Sequence, residues 1–268
     1  MSMIRWALAL LIIESTPCRA GEWSLSADYT AGFTQGDPVA SIGLTGSDKV
    51  AERWGWFVSQ SLLKNFIVDS SLEEWELNDS VLGLELFPRT LISSITWKIR
   101  LSMTLPVSKS SQANEMYSRP EIRSTGSYAL TEWLQSTGAG FFRYTLSRYQ
   151  TTRGISGQGG DPLPWFSFGC HGGLQSTVWE SVHLSAHASY FETKYYDVEY
   201  EGSAGGPVSV LPDQGYSLAL SARWLVFEKT SLGLSYSQGS LLQQSGFQNY
   251  LIFDSEQSLW SIGITQTF

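Results

Sequence analysis

The sequence has little cysteine, little charge and no long apolar run. Its 268 residues include two cysteines, and only Cys170 lies beyond the first twenty residues, so no internal disulfide can stabilise that part of the chain. Charged residues make up 16%, compared with about 25% in typical globular proteins. No stretch after residue 20 approaches the ~20 consecutive apolar residues of a membrane-spanning helix. These shortages argue against a disulfide-rich domain, an ordinary soluble domain and a helical membrane protein.

Aromatic residues and small polar residues are abundant instead. Aromatics make up 13% of the chain, with 11 tryptophans and 12 tyrosines, and serine, threonine and glycine fill much of the remainder. The net charge is −8, which argues against nucleic acid as a partner. Low charge and many aromatics, without a membrane helix, are typical of transmembrane β-barrels.

The first twenty residues have the three parts of a secretory signal. Arg5 supplies a positive charge, residues 6–13 are apolar, and residues 16–20 end at the small residue Ala20. We therefore expect a signal peptide over 1–20 and a single domain over 21–268, because no linker divides the remainder. A buried N-terminal helix and a lipid-modified Cys18 are alternatives, although the Thr-Pro pair before Cys18 is a poor lipidation sequence.

Apolar and polar residues alternate strictly over long stretches after the signal. Over 95–105, every second residue is apolar, and the residues between them are polar or charged: Thr96, Lys98, Arg100, Ser102 and Thr104. A period of two over eleven residues indicates a β-strand with one apolar and one polar face. In a barrel, the apolar face meets lipid and the polar face lines the interior.

The same alternation predicts twelve strands, with ten as the competing count. We expect an all-β fold, a closed antiparallel up-and-down transmembrane β-barrel, with strands at 23–34, 39–46, 54–64, 80–88, 94–106, 120–130, 137–149, 165–178, 182–196, 215–227, 231–242 and 251–268. Short inner turns should alternate with longer outer loops. One place breaks this rule, because the first outer loop at 35–38 is shorter than the first inner turn at 47–53.

Tryptophans cluster at the predicted inner ends of the strands, where an interfacial aromatic belt would lie. They are Trp23, Trp54, Trp56, Trp97, Trp133, Trp179 and Trp224. The alternative is a soluble β-sandwich that buries these rings in a core. A sandwich would carry acids and lysines on its outer faces, whereas the polar face here is mostly serine, threonine and glycine.

The last strand places Trp260, Ile262, Ile264 and Phe268 on one face. Ser261, Gly263, Ile264 and the final Phe268 form a pattern that resembles the C-terminal β-signal of bacterial outer-membrane proteins. Gln266 departs from the pattern, since an apolar residue is usual there. The resemblance implies a barrel in the outer membrane of a Gram-negative bacterium. It also implies contact with lipid and lipopolysaccharide and recognition by the barrel-assembly machinery.

Charged residues on the predicted lumen face are the main candidates for function. The cations, which we expect to form a basic wall, are Lys98, Arg100, Arg123, Arg143 and Arg223, and the acids are Asp28, Glu85 and Glu121. Turn positions predict Glu85 opposite Lys98 and Arg123 opposite Arg143. Arginines on one wall repel each other unless an anion or a carboxylate such as Glu121 compensates.

Two functional interpretations of these charges stay open. The first is a porin-like channel for passive diffusion of small hydrophilic solutes, with the arginines guiding anions. The second is a structural network inside a non-conducting barrel that serves as an anchor or as a subunit of a larger assembly. Barrels of about twelve strands lie in size between small barrels filled by side chains and large open porins, so the strand number does not decide between the two interpretations. A protein partner or a homo-oligomer is compatible with both.

The three histidines fall in one predicted hairpin and face the lumen: His171, His183 and His187. His187 should lie diagonal to His171, a spacing that permits a shared metal ion or a pH-sensitive pair. No carboxylates or cysteines complete such a site, so we expect neither a metal nor another cofactor. Outer-membrane phospholipases and proteases need a histidine facing lipid or near the outer rim. We therefore do not expect an enzyme.

Overall fold

The computed structural model describes residues 21–32, 38–66, 74–88, 95–153, 159–197, 211–244, 247–248 and 258–268. The predicted signal peptide at 1–20 lies outside the described residues. The chain forms an antiparallel barrel of twelve long strands, as the alternation predicts. Their bounds are β1 (Glu22–Gly32), β2 (Val39–Ala51), β3 (Trp54–Asn65), β5 (Ser80–Leu86), β6 (Ile95–Leu105), β7 (Met116–Ala129), β8 (Leu134–Tyr144), β12 (Pro164–Trp179), β13 (Val182–Tyr195), β14 (Asp213–Phe227), β15 (Thr230–Gln244) and β17 (Ser258–Thr267).

Short elements decorate the loops between these strands. They are β4 (Trp75–Leu77), β9 (Leu146–Ser147), β10 (Thr151–Arg153), β11 (Gly159–Pro162), β16 (Phe247–Gln248) and a one-turn helix, α1 (Lys109–Ala113). Most of these elements, α1 included, lie at the end of the barrel opposite to Trp23 and Phe268. We call that end the outer end and the end that carries Trp23 and Phe268 the inner end.

The barrel closes between its first and last strands. Ser24 lies opposite Thr267, and Gly32 lies opposite Leu259. Each remaining long strand pairs with its sequence neighbours. Closure satisfies the backbone amides around the ring, which an apolar surrounding requires because no water is present to pair with them.

Apolar side chains point away from the barrel axis. Leu84 is 45% exposed, Leu220 58% and Ile262 59%, although each lies in the middle of a strand. Among the described residues, only Phe57, Met116 and Leu163 are buried hydrophobic residues. A protein with its apolar residues outside and almost no dry core is stabilised by an apolar solvent. This arrangement excludes the β-sandwich alternative.

The observed turns correct several predicted boundaries. Strand β2 continues to Ala51, so the first inner turn is Glu52–Arg53 and not 47–53, and the apparent break in the turn rule disappears. Strand β8 runs from Leu134 to Tyr144, earlier than the predicted 137–149. Strand β7 begins at Met116, four residues before the predicted start at 120. The charged residues at 48–49 hid the end of β2 because they interrupt the apolar alternation.

The predicted tryptophan belt is present on the outside of the inner end. Trp23, Trp54, Trp97 and Trp224 are between 37% and 53% exposed, and Trp133 and Trp179 in or beside inner turns are 58% and 68% exposed. In the part of the chain that the structure describes, no helix is both long enough and apolar enough to cross a membrane. Amphipathic rings at this level suit a membrane–water interface.

Several glycines inside the barrel lie beneath a large side chain from a neighbouring strand. A Cβ on Gly83 would lie 2.2 Å from the Leu101 carbonyl oxygen and 2.7 Å from the Phe57 ring. A Cβ on Gly169 would lie 2.4 Å from the Tyr190 carbonyl oxygen and 2.7 Å from the Phe141 ring. Glycine at these positions lets inward-facing rings lie flat against the wall, which keeps them out of the centre of the lumen.

Candidate functional site

A carboxylate flanked by two cations lies on the lumen face of β5 and β6. Arg100 is directly opposite Glu85, and its Nε donates to Glu85 Oε1 at 3.0 Å. Lys98 lies on the diagonal, with its Nζ donating to the same oxygen at 3.2 Å. The Glu85 side chain is 13% exposed, whereas both cations are 37% exposed. The carboxylate therefore sits against the wall, and the cations face the lumen.

A second cluster of the same kind lies on β7 and β8. Glu121 is directly opposite Arg143, whose Nε donates to Glu121 Oε2 at 2.8 Å. Arg123 Nε donates to the other carboxylate oxygen at 3.0 Å. Glu121 is 10% exposed, and the two arginines are 35% exposed. Arg100 and Arg123 lie directly opposite each other across β6 and β7, so the clusters are continuous.

The guanidinium groups also stack on inward-facing rings. Arg100 lies over the Phe57 ring at 4.1 Å from its centroid. Arg123 and Arg143 lie over the Phe141 ring at 5.4 and 5.7 Å. A planar guanidinium held by a carboxylate and a ring loses little further freedom when it meets a solute.

The basic wall is therefore Lys98, Arg100, Arg123 and Arg143, with Glu85 and Glu121 between them. Two predicted register pairs are wrong: Glu85 is opposite Arg100 and not Lys98, and Arg123 is opposite Phe141 and not Arg143. Shifting a turn centre by half a residue or one residue moves the pairing by one or two positions. Each of the two observed pairings differs from the prediction by two positions, so all four side chains stay on the lumen face.

The other side of the lumen is lined by hydroxyl groups. Paired hydroxyls bridge neighbouring strands over β12 to β17: Ser167–Thr193 at 2.9 Å, Ser185–Ser221 at 2.6 Å, Ser189–Ser217 at 2.7 Å and Ser235–Ser261 at 2.5 Å. Asp28 lies on β1 opposite Gly263, which leaves room for its carboxylate. The lumen thus has one side with clustered charges and one side lined mainly by hydroxyl groups.

Arg223 lies apart from the basic wall, on β14 near the inner end. It is directly opposite His183, and its Nε donates to Ser231 Oγ at 2.9 Å. His183 Nδ1 lies 3.1 Å from Thr177 Oγ1. Arg223, His183 and Thr177 line a cavity of about 510 Å³ at the inner mouth, together with Gln135 and Gln175. The sequence placed Arg223 on the correct face but gave no sign of its distance from the other arginines.

The remaining histidines lie higher in the same pair of strands. His171 is directly opposite Ser189, and His187 is opposite Gly173, so the two histidines are on a diagonal. Within the described ranges, no group of three or more His, Cys, Asp or Glu side chains could hold a metal ion. The space above Gly173 is filled by the His187 ring, whose Nδ1 would lie 2.2 Å from a Cβ there.

An outer cavity of about 570 Å³ lies above the basic wall. It is bounded by lumen residues of β2 to β8 and by the serines of the helix α1. Its lining includes Thr45, Ser59, Ser61, Glu76, Asn78, Asp79, Thr104, Ser108, Ser110, Ser111, Arg119 and Arg143. Because residues from strands on two sides of the barrel share this space with α1, the helix narrows the outer mouth.

Asp79, in the loop before β5, holds α1 in this position. Its Oδ1 accepts a hydrogen bond from the Ser108 backbone N–H at 2.9 Å, and its Oδ2 accepts one from the Ser111 hydroxyl. Partial burial raises the pKa of the Asp79 carboxyl, but the hydrogen bonds from Ser111 and Ser108 outweigh it, so the pKa lies below its ordinary value. Ser108 also caps α1, since its Oγ accepts from the Ser111 N–H at 3.1 Å.

Sequence reasoning missed Arg119, Asp79 and α1. Arg119 lies two residues before Glu121 and four before Arg123, so the alternation places it on the lumen face. The predicted strand began at residue 120 and therefore left Arg119 out. Asp79 belongs to an acidic outer segment, 69–79, whose sequence is compatible with a solvated loop, with a surface that binds cations or a partner, or with a segment that folds inward. The contact between that loop and residues 108–111 joins two outer loops and leaves no local pattern.

The C-terminal strand has the orientation that its sequence predicts. Ile264 and Phe268 are 45% and 57% exposed on the outside, and Ser261 faces the lumen. The Phe268 N–H donates to the Trp23 carbonyl oxygen at 2.8 Å, which joins the last strand to the first at the inner end. Gly263 leaves room for the Asp28 carboxylate, because a Cβ there would lie 1.9 Å from Asp28 Oδ1 and the carboxylate would have to turn aside.

A closed, up-and-down barrel with an apolar outer face, an aromatic belt and a polar lumen defines the class of this protein. It is a transmembrane β-barrel of the kind that spans bacterial outer membranes. No protein-family model matches the sequence. No curated protein matches it either.

Two solved structures that share the fold have names that describe channels. The chain is similar to an outer-membrane channel from Pseudomonas putida F1, with a TM-score of 0.63, 11% identity, and coverage of 96% of this chain and 98% of that one. It is also similar to the NanC porin, with a TM-score of 0.58, 12% identity, and coverage of 91% and 98%. At these identities the likeness concerns the fold.

Proposed function

We propose that this protein is a porin-like channel of the bacterial outer membrane, through which small hydrophilic solutes diffuse passively with a preference for anions. The observation that carries the proposal is the basic wall, where four cations share two carboxylates. The carboxylates lie against the wall and the cations reach into the lumen. A passing anion therefore meets a net positive surface.

The mechanism is size exclusion combined with electrostatic guidance. The outer cavity and α1 limit the size of a solute, and the basic wall below them lowers the energy of an anion relative to a cation. The hydroxyl groups on the other side offer hydrogen bonds without charge. Both structures described above belong to channels according to their names, which supports transport rather than catalysis for this barrel.

Replacing Arg123 and Arg143 with glutamine should reduce anion selectivity. A unit charge about 4 Å from an ion changes its energy by about 1 kcal/mol in water-like surroundings, which is a factor of about five. Two cations are removed, so we expect the anion-to-cation permeability ratio to fall at least about fivefold. The measurement is the reversal potential in planar bilayers under a salt gradient. Arg148→Gln is the matched control, because Arg148 lies in an outer loop and pairs with Glu115 at 3.2 Å.

The same recordings test the alternative function. Repeated insertions of the purified barrel without stepwise conductance would favour the non-conducting anchor or assembly subunit. The observation behind that alternative is that every cation of the basic wall already contacts a carboxylate. If the Arg123→Gln/Arg143→Gln variant conducts with an unchanged reversal potential, the selectivity role of the basic wall is contradicted, whereas the channel function is not.

We also propose that the C-terminal strand is recognised by the barrel-assembly machinery and that the apolar face contacts lipid and lipopolysaccharide. Deleting Phe268 should lower the amount of barrel in the outer membrane severalfold while leaving refolding from urea into detergent nearly intact. The reason is that the Phe268 ring points outward and the deletion removes one closing hydrogen bond. Equal outer-membrane levels for the deletion and the full chain would contradict this role.

A further inference from the structure

One cation of the outer cavity is not paired with a carboxylate. Arg119 lies on β7 directly opposite Thr104 and lines the cavity. Among the residues that the structure describes, no carboxylate oxygen lies within ion-pair distance of the Arg119 guanidinium. This separates Arg119 from Lys98, Arg100, Arg123 and Arg143, each of which contacts Glu85 or Glu121.

Arg119 is close to a second guanidinium. Glu121 is directly opposite Arg143, and Arg119 is two residues away on the same face, so Arg119 and Arg143 lie on a diagonal. Side chains as long as arginine reach each other at that spacing. Two like charges that share a cavity repel, unless an anion lies between them.

Three acids lie near these guanidiniums: Glu76 of β4, which lines the cavity, and Glu121 and Asp79, which act on the charge of Arg119. The last two already accept hydrogen bonds from the chain. Glu121 accepts hydrogen bonds from Arg123 and Arg143, and Asp79 accepts them from Ser108 and Ser111. Asp79 is close enough to Arg119 for a weak charge interaction, but its oxygens point to α1. The positive potential of Arg119 is therefore only partly balanced by the chain.

Hydroxyl groups complete the cavity. Thr45, Ser59, Ser61, Thr104 and Ser110 line the space around the two guanidiniums. A volume of about 570 Å³ holds a small oxyanion together with several waters. An arginine fork supplies two parallel donors to a carboxylate or phosphate, and hydroxyls supply donors to its remaining oxygens.

We propose that the outer cavity is a binding site for the oxyanionic group of a dissolved solute, held between Arg119 and Arg143 beneath α1. The inference deepens the proposed function, because it gives the channel a first binding site on the outer side. The ligand class is a carboxylate or a phosphate. Arg119 determines specificity at this site, and Arg143 links it to the basic wall below.

The test is a titration of the purified full-length barrel in detergent with inorganic phosphate, followed by isothermal calorimetry and by ³¹P line broadening. We expect saturable binding that Arg119→Gln weakens by about tenfold, equivalent to about 1.4 kcal/mol. Arg119→Lys, which keeps the charge and loses the fork, should weaken it less. Arg53→Gln in the first inner turn is the control and should bind as the unaltered protein does.

Binding of equal strength by the unaltered barrel and by Arg119→Gln would overturn the inference, as would an absence of saturable binding. Each variant is first checked for folding by its heat-dependent mobility on a gel. The titration does not depend on conduction. A barrel that conducts anions but does not bind phosphate refutes this site alone, and one that binds phosphate but does not conduct refutes the proposed function alone.

Discussion

Replacing Asp79 with alanine is expected to release α1 from the outer mouth and to raise the single-channel conductance severalfold. A helix of five residues is far below the length of about 12–15 residues at which isolated helices become marginally stable. Its position therefore depends on contacts with other segments. Asp79 provides two of them, through Ser108 and Ser111. Both bonds are partly buried, and a hydrogen bond to a charged acceptor contributes about 1.5–3 kcal/mol, which is enough to decide whether so short a segment is ordered.

A reversible cross-link separates this effect from a general loss of structure. In a Cys170→Ser background, Asp79→Cys combined with Ser111→Cys should give a high conductance when reduced and the original conductance when oxidised. Amide hydrogen exchange over 108–114 should rise in Asp79→Ala and stay low in Asp48→Ala, the control at the inner end. If conductance and exchange are unchanged in Asp79→Ala, α1 is held by other contacts.

The pH dependence of this contact follows from the lowered pKa of Asp79. A carboxyl whose pKa is lower in the ordered state stabilises that state above its ordinary pKa, and the stabilisation is lost as the pH falls through the lowered value. We therefore expect the conductance to stay constant through mildly acidic pH and to rise only below the usual aspartate range of about 3.9. A rise at near-neutral pH would point to another group.

Gly83→Ala should destabilise the barrel far more than Gly138→Ala. A methyl group at Gly83 would meet the Leu101 carbonyl oxygen at 2.2 Å and the Phe57 ring at 2.7 Å, whereas the nearest atom to a methyl group at Gly138 is 3.9 Å away. Forcing atoms into a filled site costs about 1–3 kcal/mol. Where no clash arises, Gly→Ala stabilises the folded state by about 0.4–1 kcal/mol, because alanine lowers the conformational entropy of the unfolded chain.

Equilibrium unfolding in urea, with lipid vesicles and tryptophan fluorescence, measures the difference. We expect a loss of about 2 kcal/mol for Gly83→Ala and little change for Gly138→Ala. Gly169→Ala should behave as Gly83→Ala does, because it has the same combination of a carbonyl oxygen and a ring, at 2.4 and 2.7 Å. Equal stabilities for Gly83→Ala and Gly138→Ala would show that the rings move aside without cost.

The sequence was sufficient to predict the barrel because alternation has a period of two and repeats in every strand. Residues as far apart as Trp23 and Ile264 could be placed on the lipid side from parity alone. Parity also put Arg100, Arg123 and Arg143 in the lumen. It could not give the exact partner of each residue, since register depends on where a turn is centred, and neither Glu85 nor Arg123 has the predicted partner.

The outer cavity could not be predicted, for a different physical reason. It depends on one loop reaching another through Asp79, Ser108 and Ser111, and such contacts leave no periodic trace in the sequence. The helix α1 is too short to show an amphipathic pattern. Arg119 could have been found by extending the parity of Glu121 and Arg123 by one step. The turn Glu52–Arg53 was hidden because Asp48 and Lys49 continue a strand without apolar alternation.

The seam between β1 and β17 joins residues that are farthest apart along the chain. Bringing the ends of so long a segment together costs about 5 kcal/mol of chain entropy by the logarithmic rule for loop closure, so we expect this ladder to form after the hairpins. Since the Trp23 carbonyl already accepts the Phe268 N–H, a short peptide could connect the end of β17 to the start of β1. A circular permutant cut between β1 and β2 would turn this seam into an ordinary hairpin and would make the β1–β2 ladder the long-range closure instead.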